Sequence, residues 1–155
     1  MAEEREKGAE LMDSEAVTAM LREDRVEWEA LVAVLEAHAG ESLHDASSPL
    51  WTNRDVYAHL ARWLGHSSDE LEARLGGRTL TRLEGTDDEI NACWQQEDSG
   101  LSLGEARERA RMAFERRLRA IKGVPTGRWD EGFEKIARAD GSEHYASHRS
   151  FIVDA

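Results

Sequence analysis

The chain has 155 residues, 40% of them hydrophobic and 34% charged, which suits one domain with a buried core and excludes a disordered chain. Lys and Arg total 20 against 32 Asp and Glu, a formal net charge of -12 that repels phosphate backbones and anionic membranes, so neither nucleic acid nor membrane is an expected partner. Cys93 is the single cysteine, which excludes an intramolecular disulfide, and no apolar run approaches the roughly 20 residues of a membrane span.

Residues 1–13 read as a polar tail and residues 14–155 as one helical domain. The charged start, residues 1–7, lacks the apolar stretch of a secretory signal, so the cytoplasm is the expected compartment. Over residues 14–38, Val17, Met20, Leu21, Trp28, Leu31, Val32 and Leu35 recur mostly at three- and four-residue steps, a helical period. Gly40 stops that helix, and residues 41–50, with Pro49, form a loop.

The second helix opens on Thr52 and Asp55, a short-armed capping box in which the hydroxyl accepts from a first-turn amide and the carboxylate reaches back. Its inner face is Val56, His59, Leu60, Trp63 and Leu64. Gly65 either ends it or weakens it by about 1 kcal/mol, and in the second case Leu71 and Leu75 carry the pattern on to Gly76 and Gly77. Residues 78–100 carry the faintest pattern. Within them, residues 89–96 suit a short helix with Ile90, Cys93 and Trp94 on one side.

Ser102 and Glu105 repeat the capping box and open the third long helix, whose stripe is Leu103, Ala106, Ala110, Ala113, Phe114, Leu118 and Ile121. Arg107, Arg109, Arg111, Arg116, Arg117, Arg119 and Lys122 crowd the same helix. Glu105, Glu108 and Glu115 interleave with them, the pattern of a solvated face; the alternatives are an anionic ligand or an acidic neighbour. Pro125 ends the segment. Trp129, Phe133 and Ile136 mark a short packed turn or helix. Ser142, as N-cap, opens the last helix, which carries His144, Tyr145, His148, Phe151 and Ile152. No segment alternates as a strand does, so the fold class is all-α, most simply a bundle of four principal helices.

The histidines carry the chemistry. His144 and His148 are four apart, so they share one helix face with Cβ atoms roughly 6 Å apart, close enough to ligate one ion at about 2.0–2.1 Å per nitrogen. His59 lies among Val56, Leu60 and Trp63, where an imidazole that has lost water needs a partner. That partner would be a metal or, more blandly, a backbone carbonyl or buried hydroxyl. If the two helices face each other, three imidazoles converge. Three neutral ligands leave the double charge uncompensated and a coordination position open, the pattern of catalytic sites, and zinc or nickel suits them best. The segment His144-Tyr145-Ala146-Ser147-His148 lacks the glutamate of the His-Glu-x-x-His metalloproteases, which disfavours proteolysis. His38, in the last turn of the first helix, suits the helix dipole, whereas His44 and His66 read as solvated. Cys93 reads as a small core residue or a thiol near the site. Trp51, Trp63, Trp94 and Trp129 read as packing aromatics, with one or two lining a pocket. Asp55 reads as a cap rather than an orienter of His59.

The run Trp51-Thr52-x-Arg54-Asp55-Val56-x-x-His59-Leu60-x-x-Trp63, followed by His144-Tyr145-x-x-His148, resembles the DinB/YfiT-like superfamily over residues 14–152. That superfamily includes DinB-like proteins and the N-terminal domain of mycothiol-dependent maleylpyruvate isomerases. The resemblance implies an up-down-down-up four-helix bundle holding a divalent metal through His59, His144 and His148. Isomerases of this kind commonly have glutamate where this chain has His144 and carry a further C-terminal domain, so the all-histidine DinB-like branch is the nearer likeness. The expected function is a metal-dependent enzyme acting on a small molecule, in a thiol-dependent transfer or isomerisation with a low-molecular-weight thiol. The alternatives are a non-catalytic bundle that binds a small molecule or protects against a toxin, and a structural homodimer.

Overall fold

The computed structural model describes residues 12–38 and 51–153. The tail to residue 11, Gly40, the 41–50 loop with His44 and Pro49, residues 154–155 and the side chain of Phe151 lie outside them. Among the described residues the protein is helical and has no β-strand. The helices are α1 (Ser14–Ala37), α2 (Asn53–Leu75), α3 (Asp87–Glu97), α4 (Leu103–Lys122), α5 (Glu131–Ala139) and α6 (Ser142–Val153), with a 3₁₀ turn at Thr126–Arg128. The most extensive packing joins α2 to α4, and α1 to α6 follows.

Helix starts are set by side chains satisfying first-turn amides. Both expected capping boxes form, Thr52 with Asp55 and Ser102 with Glu105. Such a cap is worth about 1 kcal/mol. Asp55 is thus a cap, as expected: its Oδ2 accepts from the Thr52 amide at 2.9 Å. Gly65 does not end α2, which runs ten residues further to a C-cap at Gly76. Gly77 then takes φ +72, a left-handed conformation that glycine adopts without a Cβ penalty.

The main core joins Trp28, Leu31 and Leu35 of α1 to Val56, Leu60 and Leu64 of α2, Phe114 and Leu118 of α4 and Tyr145 of α6. Trp28 stacks on Phe114 with centroids 4.6 Å apart, and Tyr145 meets Trp28 edge-on at 5.3 Å. A second cluster packs Met12, Met20, Leu71, Ile121, Trp129, Phe133 and Ala137. Met12 and Asp13 therefore do not behave as tail. Met12 is buried, and Asp13 caps α1 by accepting from the Ala16 amide.

Three further expectations are corrected. Arg117, assigned by its charged neighbours to a solvated face, is fully buried. It lies one turn from Phe114 and from Ile121, on the inner stripe, where α1 supplies a buried Asp24 to pair with it at 3.1 Å. Ser142 is the first residue of α6 rather than its cap, and its amide donates to Asp24 Oδ1 at 2.9 Å. A carboxylate from a distant helix thus does the capping. Cys93 is exposed, because α3 buries Ile90 alone.

Candidate metal centre

Tyr145 is fully buried in the core and fixes the rotation of α6. At about 100° per residue, His144 and His148 then point roughly 100° and 60° away from it, to the same side. That side faces α2, where buried Val56 and Leu60 hold His59 at the edge of the core. The ring of His59 lies 5.7 Å from that of His144 and 5.2 Å from that of His148, centroid to centroid. Each of the three offers a ring nitrogen, and these nitrogens all lie within 4.8 Å of one another. His144 Nε2 and His148 Nε2 are 2.9 Å apart. His148 is buried and the other two are half-buried.

Nitrogens on one tetrahedral ion, at about 2.0–2.1 Å each, are about 3.3 Å apart. The observed spacing brackets that value, so small ring rotations suffice for all three to meet one ion. Trp51 closes one side, its ring centroid 4.9 Å from that of His59. The other side opens into a cleft of about 820 Å³ that His59, His144, Trp63, Asn91, Lys135 and Ser147 help to line. Trp63 is held there by its indole N–H, which donates to Asn91 Oδ1 at 2.7 Å. Trp63 lines this cleft, and Trp51 and Trp94 line a smaller pocket that also reaches His59, more of the tryptophans than the expected one or two.

His66, read as solvated, instead faces the same cleft from α2 and lies 2.8 Å from Glu70 Oε1. His38 is the C-cap of α1, where its own amide donates to the Leu35 carbonyl. The arginine-rich helix does not supply the cleft: none of its cations lines it. Several of them pair elsewhere with acidic neighbours, Arg107 with Glu36 at 2.7 Å, Arg111 with Glu108, and Arg116 with Asp69 and Glu72.

One residue absent from the sequence reading belongs to this region. Asp140, the C-cap of α5, places Oδ1 3.6 Å from His144 Nδ1, while its Oδ2 accepts a hydrogen bond from the Ser67 hydroxyl of α2. Burial pushes its carboxyl above the usual carboxylate range, and the Ser67 bond and the Arg117 charge work against that. Burial likewise raises the Asp24 carboxyl against the opposing Arg117 guanidinium. The spacing of Asp140 from His144, the same four residues that separate the two histidines, was a legible signal. Asp140 lies before Ser142, the expected start of the last helix, and so fell outside the pattern that pairs the histidines.

Among the described residues no helix is long and apolar enough to cross a membrane. Compared with models of protein families, with curated proteins and with solved structures, the chain matches none.

Proposed function

We propose that this chain is a DinB-like protein that binds a divalent metal, zinc or nickel, and uses it to transform a small molecule, in a thiol-dependent transfer or isomerisation. The observation that carries the reading is the convergence of His59, His144 and His148 within 4.8 Å at the wall of an open cleft. A ligand set of neutral imidazoles with a solvent-facing side is the donor chemistry of catalytic rather than closed structural sites. The pairing of α1 with α6 and of α2 with α4 accords with an up-down-down-up bundle of the four longer helices.

His59, His144 and His148 would hold the ion. It would supply a Lewis acid able to lower the pKa of a bound water or thiol, or to polarise a carbonyl. The chain's own part is to admit and orient the substrate. Trp63 offers an apolar wall, and Asn91, Lys135 and Ser147 offer polar contacts beside it.

The test is elemental analysis of tag-free protein, coupled to a panel of thiol-transfer and isomerisation assays on wild type and on His59→Ala, His144→Ala and His148→Ala. Near-stoichiometric metal lost in each variant, with turnover lost alongside it, is the expected result. Turnover that persists in metal-free protein refutes the proposal. Stoichiometric capture of ligand without turnover replaces it with a binding role, and a folded protein that can be loaded with no metal leaves the histidines as packing.

A further inference from the structure

We propose that Asp140 is the positioning residue for His144, holding that imidazole by its Nδ1 so that Nε2 is presented to the ion. This rests on the metal-centre reading above and adds to it a residue that acts through a ligand rather than as one. His144 Nε2 already faces His148 Nε2 at 2.9 Å, which leaves Nδ1 as the nitrogen on the far side of the ring. Asp140 Oδ1 stands on that side, 3.6 Å from Nδ1. A hydrogen bond there needs about 2.7–3.2 Å, so a shift of a few tenths of an ångström, within the reach of a ring rotation, completes it.

The carboxylate is held in place, as an orienting group must be. It is 14% exposed, and its second oxygen is taken by the Ser67 hydroxyl from α2, so one face of the group is committed to the scaffold and the other is turned to the histidine. It also sits at the junction of α5 and α6 that the buried Asp24–Arg117 pair locks from both sides: Asp24 accepts from the Ser142 amide, and Arg117 Nη2 donates to the Ala137 carbonyl. The backbone on either side of Asp140 is therefore tied to α1 and α4.

A ligating imidazole that donates its other N–H to a carboxylate is fixed in tautomer and orientation and becomes the more basic ligand. The three imidazoles bring no negative charge to a divalent ion, and Asp140 places one behind a ligand without occupying a coordination position. That keeps the cleft side open for substrate.

The experiment uses the full chain and two probes, zinc for affinity and cobalt(II) for its visible ligand-field spectrum, on wild type, Asp140→Ala and Asp140→Asn. Loss of such an outer partner typically costs 10–100-fold in metal affinity. Asp140→Ala should lose zinc affinity in that range while keeping its helix content. Asp140→Asn keeps one acceptor oxygen, turned to His144 or to Ser67 but not to both, and no charge, so it should fall between and shift the cobalt spectrum. A purely structural Asp140 would lower the melting temperature of the metal-free protein and leave affinity and spectrum alone. Wild-type affinity and spectrum in folded Asp140→Ala overturn the proposal. Should that variant not fold, the same result in Asp140→Asn overturns it. Wild-type protein that takes up no zinc overturns the metal centre itself, and the role of Asp140 with it.

Discussion

Arg117→Met is the substitution whose cost the structure defines best. The guanidinium is fully buried and makes two bonds to Asp24 Oδ2, from Nε at 3.2 Å and Nη2 at 3.1 Å, and a third from Nη2 to the Ala137 carbonyl. Methionine fills much the same volume but donates nothing. It would leave Asp24, whose side chain is 2% exposed, with the Ser142 amide among its present partners and no countercharge. Breaking one side of a buried pair costs about 3–5 kcal/mol. The buried Nη1 has no hydrogen-bond partner among the described residues, so the arginine forfeits part of its own benefit and the lower end of that range applies. At about 2–4 °C per kcal/mol for a chain of this size, the melting temperature should fall by roughly 6–12 °C. The assay is thermal and urea unfolding followed by circular dichroism at neutral pH. Acid should partly rescue the variant, since a protonated Asp24 no longer needs the countercharge. A loss below about 1 kcal/mol, within the range of an exposed pair, would refute the reasoning.

Saturating zinc at 100 times its dissociation constant should stabilise wild type by about 2.7 kcal/mol, a rise of roughly 5–11 °C. His59→Ala, if its affinity falls 100-fold, should gain only about 0.4 kcal/mol at the same zinc, and equal shifts in both by scanning fluorimetry would remove His59 from the ligand set. Gly141→Ala would place a Cβ 2.7 Å from Arg117 Nη2 and 2.9 Å from Asp24 Oδ1, both held in the buried pair, so a loss of about 1–3 kcal/mol is expected in urea unfolding. Bonds from Arg107 and Tyr57 hold the Glu36 carboxyl below its ordinary value of 4.5. A lowered folded pKa means that this stability is present above about pH 4.5 and is lost as pH falls through the lowered value. Glu36→Gln should therefore flatten the acid limb of the stability–pH curve, by under about 1 kcal/mol because the pair is half exposed. An acid limb identical to that of wild type argues against the contribution.

Much of this protein is local in origin. The helical periods, the two capping boxes and the stop at Gly76 depend on residues within a turn of one another, and a chain shows those without folding. His144 and His148 share a face for the same reason. What stayed hidden were polar groups whose partners lie far away in the sequence. Arg117 looked like a surface charge because charged neighbours flank it, and nothing in the helical pattern singled out Asp24 or Asp140. Their burial becomes tolerable only when another helix supplies the countercharge or the hydroxyl, and periodicity carries no record of which helix that is.

The same division runs through the candidate site. The amino-acid order determined that three imidazoles lie on inward-leaning faces of two helices, and that no glutamate follows His144. The tertiary structure alone decided that those faces meet, with nitrogens within 4.8 Å of one another, and that His66 turns to the cleft and the arginines of α4 turn away from it. The reason is rotation about helix axes. A helix can turn until its bulkiest side chains are covered, and here Tyr145 packing on Trp28 and Phe114 sets the angle at which α6 presents its histidines.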